Sequence, residues 1–264
     1  MNTADEHEKM ECRAGLAAPT GMRVRLIALS LVAMSTAWGL PGPFVSGPAQ
    51  VPLVELYTSE GCSSCPPAEA WLNRLQSEPG LWRDFVPVSF HVNYWDRLGW
   101  PDRFASRAFT ERQYAYAEDW GVRTVYTPGF VLNGRDWREK SRRTLPAPGK
   151  DTGTLTVAVN AGKVQASWQP VAEDGQVYEV HAAFLGGGFV SKVKAGENRG
   201  ETLVHEFVAL SLVRHVVVDG QCEFPLAAVT MDGMTRQALA VWVTRRGETE
   251  PVQATGGWLA SERL

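Results

Sequence analysis

Hydrophobic and polar positions follow two different rhythms along this chain. Between residues 53 and 137, short apolar runs alternate with segments whose apolar positions recur at helical spacing. Leu53-Val54-Glu55-Leu56-Tyr57 reads as a buried strand, and Trp71, Leu72 and Leu75 predict a helix over Pro67 to Gln76. Phe85 to Tyr94 is a second, nearly continuous apolar run, as expected of a strand buried in a parallel pair. Trp95 to Pro101 is a loop. Asp102 fits the cap of a short helix, and Thr110-Glu111-Arg112-Gln113 has the form of a capping box for another helix ending near Gly121. Val125 to Gly134 reads as a strand entered through Pro128 and closed by an Asn133-Gly134 turn, with an edge strand around Arg135 to Trp137. The predicted order is β-α-β-α-β.

Beyond residue 150 the period shortens to two. Leu155, Val157 and Val159, then Val164, Ala166 and Trp168, alternate on either side of Asn160-Ala161-Gly162 and predict a hairpin. Tyr178 to Phe184, Leu203 to Val208, Val213 to Val218 and Ala238 to Val243 are further strands, and Arg246-Gly247 is the last turn. With little helical pattern, this half reads as an all-β, sandwich-like unit. Residues 138–153 turn basic and then rich in Pro and Gly. A boundary placed there gives three parts: an extension with signal segment and linker (1–50), an α/β domain (51–145) and a β-rich domain (151–264). The sequence carries no internal repeat, P-loop or zinc-ribbon spacing.

Composition narrows the function. Of 264 residues, 44% are hydrophobic and 21% charged, values of a globular chain. A net charge of −3 gives no electrostatic case for nucleic acid or an anionic membrane. Met22-Arg23-Val24-Arg25, the apolar Leu26 to Leu40 and the small residues of Ser35-Thr36-Ala37 have the order of a cleavable export signal. The expectation is a periplasmic or secreted protein with no stable membrane span after cleavage; an uncleaved anchor is the alternative. The polar start suggests that Met22 is the true first residue, in which case Cys12 is never made.

Four cysteines are too few for a disulfide scaffold, and two of them form Cys62-Ser63-Ser64-Cys65 between the first strand and the first helix. Sulfurs at that spacing can close a small disulfide ring, and a helix N-terminus favours a thiolate. Pro66 and Pro67 favour the first helical turn and move the helix start toward Cys65. The chemistry this predicts is thiol–disulfide exchange with protein thiols or disulfides, with no cofactor and an undecided direction. Two alternatives use the same residues: a Cu(I) chaperone or sensor with His91 as third ligand, and an interaction protein whose disulfide never turns over. In open sheets chemistry gathers beyond the carboxyl ends of parallel strands, which brings Asn93, Tyr94, Trp95 and Asp96 toward the cysteines. Asp96 is either a proton shuttle for Cys65 or a loop cap. Tyr94, Trp95 and Trp100 either line a substrate groove or pack in the core. Cys222, His181, His205 and His215 receive no role.

Glu55 to Ala68, Phe90 to Asp96 with Leu98-Gly99-Trp100, Arg112-Gln113 with Tyr116-Ala117, and Val125 to Pro128 with Asn133-Gly134 together resemble one family. It is the exported thioredoxin-like proteins catalogued as domain of unknown function 1223. Gly196-Glu197-Asn198-Arg199-Gly200 and the strand of Leu203 and His205 extend the likeness more loosely. The resemblance implies a thioredoxin-like domain over residues 51–137 and a β-rich companion. In the exchange expected, Cys62 faces solvent and attacks or is attacked through a mixed disulfide, which Cys65 resolves. Thr127 and a cis Pro128 would lie against the sulfurs to receive substrate, with Trp95 beside them and Ser63 and Ser64 tuning the pair.

Overall fold

The computed structural model describes residues 42–138, 144–145 and 147–260. The expected signal segment and Cys12 lie outside them. No helix among the described residues is long and apolar enough to cross a membrane. After a two-residue strand β1 (Phe44–Val45) come β2 (Leu53–Thr58), α1 (Pro66–Arg74), β3 (Val86–His91), α2 (Arg107–Asp119), β4 (Gly129–Leu132) and β5 (Arg135–Asp136). Strands β2 and β3 run parallel in the register Leu53↔Val86 to Thr58↔His91, and β4 pairs antiparallel to β2. Every residue of β2 and β3 is buried, because both faces are covered. Thr58 meets Glu69 of α1, while Glu55 and Tyr57, on the opposite face, meet α2. The cap of α2 is Ser106, whose hydroxyl accepts from the N–H of Ala108, so the expected capping box at Thr110 lies inside one continuous helix.

The chain continues with β6 (Gly153–Asn160), β7 (Lys163–Pro170), β8 (Tyr178–Gly187), β9 (Phe189–Lys192), β10 (Thr202–His205), β11 (Val208–Val216), β12 (Gln221–Pro225), β13 (Arg236–Arg245) and β14 (Pro251–Leu259). The expected thioredoxin-like α/β arrangement is not what the chain adopts. The described residues are mostly β, with two α-helices against fourteen strands. The strands of the first half are one end of an eight-stranded mixed sheet ordered β14-β13-β8-β11-β3-β2-β4-β5. The reason lies in the second-half strands. All ten residues of β8 and seven in succession of β13 are buried. Strands so apolar on both faces cannot stand in a sandwich with one wet face, so they bury the second face against the first half.

One face of β8 and β13, through Val180, Ala182, Leu239 and Val241, packs on a four-stranded sheet ordered β1-β6-β7-β12, through Leu155, Val157 and Trp168. The other face, through Ala183, Leu185, Ala240 and Trp242, joins the core of β2, β3 and the helices. The large sheet curls enough that β13 and β14 touch β3 and β14 touches β2. Two glycines make the close approach possible: a Cβ on Gly256 would come within 2.8 Å of the Trp82 ring, and one on Gly257 would overlap Phe44 on the other face. The predicted hairpin of β6 and β7 turns through Ala161 and Gly162, and Gly247 with φ +81° turns β13 into β14.

Arg112 of α2 ties these layers together. Its Nε and Nη2 donate to the two oxygens of Glu55 at 2.8 and 3.1 Å, and its guanidinium lies 4.8 Å from the Trp242 ring centre. Tyr57 and Tyr116 donate to the same carboxylate, and burial together with its charge raises both phenols well above their ordinary range. Removing one member of a buried pair leaves the other charge uncompensated. Arg112→Met is therefore expected to cost about 3–5 kcal/mol in urea unfolding, and Arg112→Met with Glu55→Gln distinctly less than the sum of the two single changes. Additive losses would show that the pair is not coupled. A second expectation concerns acid. His181 is buried, stacked on Trp242 and 3.0 Å from the Thr244 hydroxyl; burial, helped by Arg112 and Arg214, holds its pKa well below 6.5. The folded state thus refuses a proton that the unfolded state takes, and stability falls as pH drops below about 6.5. Between pH 6.5 and 5, wild type should lose roughly 1 kcal/mol per pH unit more than His181→Gln, measured by urea midpoints; equal slopes would contradict this.

Candidate functional site

A tight turn carries the cysteines off the end of β2. Cys62 N–H donates to the Ser59 carbonyl and Cys65 N–H to the Cys62 carbonyl, both at 3.1 Å. Gly61 leaves room for Trp95, whose Cβ would stand 3.3 Å from any Cβ placed there. Cys65 is the N-cap residue of α1, with Pro66 and Pro67 in the first turn, so the helix begins where the prolines predict. Cys62 and Cys65 are joined in a disulfide. Both residues are 0% exposed, which corrects the expectation of a solvent-facing Cys62, while Ser63 and Ser64 between them are exposed.

The cover comes from the segment between β9 and β10. Glu197 accepts hydrogen bonds from the Ser63 N–H at 3.0 Å and the Ser63 hydroxyl at 2.7 Å. Asn198, itself buried, donates from Nδ2 to the Glu60 and Cys62 carbonyls at 2.8 and 2.9 Å. The likeness of Gly196 to Gly200 to the family pattern thus marks residues that clasp the dithiol turn.

Behind the turn lies a buried charged cluster. His205 Nε2 donates to Glu60 at 3.1 Å and Nδ1 to Glu69 at 2.6 Å. Burial opposes the charge on His205, but those two bonds outweigh it and hold its pKa up at about 10. Burial likewise opposes the charge on Glu60, and hydrogen bonds led by the one from His205 bring it down to about 2. Glu69 is lowered against burial in the same way. Trp100 donates to Glu60 at 2.7 Å. Asp102 accepts from His91 Nδ1 at 2.7 Å, from the Glu60 N–H at 2.9 Å and from the Phe104 N–H at 2.9 Å.

The other predicted residues separate into two groups. Trp95 donates to the Thr127 hydroxyl at 2.8 Å, and the Thr127–Pro128 bond is cis, so these three share one region with Gly61. Asp96 accepts from the Asp102 N–H at 3.1 Å, the loop-cap alternative, and burial raises its pKa. Asn93 exchanges hydrogen bonds with Thr110, and Tyr94 donates to Gln113 at 3.2 Å, so both fasten a 3-10 turn to α2 rather than to the cysteines. Burial pushes the Tyr94 phenol up to about 12. Gln113, read as a cap, instead bridges Tyr94 and the Tyr126 carbonyl. Cys222 is buried in β12 and His215 stacks on Phe224, away from this cluster. Glu60, Glu69, Asp102, Asn198 and His205 were missed as a group. Their one local signal is polar side chains at apolar positions, such as His205 at the end of β10.

The chain is similar to the crystal structure of protein AGR_C_4864 from Agrobacterium tumefaciens, at TM-score 0.59 and 24% identity over 82% of this chain and 96% of that one. It is also similar to HBP35 of Porphyromonas gingivalis, at TM-score 0.52 and 12% identity over 81% and 76%. At such identities the likeness is one of fold. No curated protein matches. The pattern that defines the proteins of unknown function DUF1223 spans residues 53–244, and this chain belongs to that family.

Proposed function

We propose that the chain exchanges disulfides with protein thiols at Cys62 and Cys65, and that the Glu197–Asn198 clasp governs access to them. An incoming thiolate attacks Cys62 Sγ and breaks the bond to Cys65, giving a mixed disulfide and a Cys65 thiolate. A second thiol of the partner then attacks its own mixed sulfur. The partner leaves oxidised, and this chain keeps two electrons and two protons as a dithiol. The observation that carries the reading is how the cover is held. The segment between β9 and β10 meets the dithiol turn through the side chains of Glu197 and Asn198. Strands β9 and β10 form a two-stranded sheet of their own, outside the large one. The clasp can therefore release without breaking a ladder of the main sheet.

A second reading, a disulfide that serves only as a staple, draws on the burial of both cysteines. Asn198→Ala with Glu197→Ala separates the two. Glu197 and Asn198 make four bonds to the turn, each contributing about 1 kcal/mol, so their joint loss should speed reduction of the disulfide by dithiothreitol by at least about tenfold. With dithiothreitol as the electron donor the same exchange runs in reverse: the variant should speed insulin reduction more than wild type does, and Cys62→Ser should give no more than the rate of dithiothreitol alone. Equal insulin rates for wild type and Cys62→Ser would leave the staple. Replacing Cys65 with Ser should trap mixed disulfides on Cys62, read on non-reducing gels.

A further inference from the structure

We propose that His91, His205 and Glu69 form a buried site for a divalent cation of the zinc class, beneath the dithiol turn and independent of its sulfurs. His91 is 0% exposed. Its Nδ1 is committed to Asp102, and its Nε2 has no hydrogen-bond partner among the described residues. A buried lone pair or N–H left without a partner is costly, and polar groups so placed call for an explanation. Glu69, His91 and His205 each offer a ligand atom, and these atoms lie within 4.8 Å of one another.

The surroundings have the form that metal-ligating histidines require. Such a histidine binds through one ring nitrogen and gives the other N–H to a carboxylate, which fixes its tautomer and orientation. Both histidines here have that arrangement. His91 gives Nδ1–H to Asp102, leaving Nε2; His205 gives Nε2–H to Glu60, leaving Nδ1 beside Glu69. A cation held by His91 Nε2, His205 Nδ1 and a Glu69 oxygen would replace the proton that His205 and Glu69 share. Two nitrogens and one carboxylate are a donor set that zinc accepts, with a position left over. Charge agrees: Glu60, Glu69 and Asp102 are all buried, against two histidines and no lysine or arginine among these contacts. The site differs from copper binding at Cys62 and Cys65, since it needs neither sulfur.

Refolding the full chain with Co2+ or Zn2+, followed by gel filtration and metal analysis, tests the proposal. The expected result is one ion per chain, with visible Co2+ bands lacking thiolate charge transfer. Uptake should be unchanged in the double variant Cys62→Ser, Cys65→Ser. At a hundredfold excess over Kd the melting temperature should rise by about 5–10 °C. Asp102→Asn should weaken binding about 10–100-fold, and His91→Gln should abolish it. No stoichiometric uptake by wild type, uptake lost with the cysteines, or uptake undiminished in folded His91→Gln would each overturn the assignment.

Discussion

Glu60 and Glu69 come from the first half of the chain and His205 from the second, and none of the three can be buried without the others. A lone carboxylate or imidazolium taken out of water costs several kcal/mol, so the strand bearing His205 must dock where both carboxylates wait. Two residues later the chain enters the large sheet. Ser89 N–H donates to the Phe207 carbonyl at 2.8 Å, and Val208 pairs with Ser89, the sole bridge between β11 and β3. That bridge is where the antiparallel strands of the second half join the parallel pair of the first. Its register is therefore fixed by the charges beside it as much as by the hydrogen bonds of the ladder.

The same cluster makes the dithiol turn asymmetric. Its floor is stiff: Glu60, directly before Gly61, is held by His205, Trp100 and Asp102 at once. Its roof is two side chains of one connecting segment. Opening on the floor side means exposing a charge network. Opening on the roof side costs a few hydrogen bonds that water can replace. A turn built this way would keep its sulfurs in one geometry if the roof opened, which the proposed exchange requires.

Local pattern carried the reading of local features. The β6–β7 hairpin, the strand–turn–helix around the cysteines, the parallel β2–β3 pair and the edge position of β5 follow from period and turn chemistry. Partnership across the chain did not follow. An apolar run such as β8 announces that both faces are covered but not by what, and the first-half strands were as good a partner as a second sheet. The charged cluster was illegible for a related reason. Glu69 looks like an ordinary first-turn helix carboxylate and His205 like a strand-end histidine, and they meet across a separation of 136 residues. Thr110 matched a capping box that Ser106 forestalled by starting the helix one turn earlier.

Buried ion pairs seldom stabilise a fold more than apolar side chains of the same volume would, so the clusters flanking β2 need another reason to exist. Alternation along the strand supplies one. Glu55 faces Arg112 on the α2 side, and Thr58 faces Glu69 on the α1 side. A slip of one residue would turn Glu55 toward α1, away from its guanidinium, and carry Thr58 off Glu69. Apolar residues in these places would tolerate that slip, because Leu53, Val54 and Leu56 fit a greasy face either way. With a charge on one face and a hydrogen-bonding hydroxyl on the other, the shifted register leaves Glu55 and Arg112 buried apart and takes the Thr58 hydroxyl from Glu69. The arrangement that sets β2 in register also delivers Glu60 to His205 and the cysteines to the mouth of the turn.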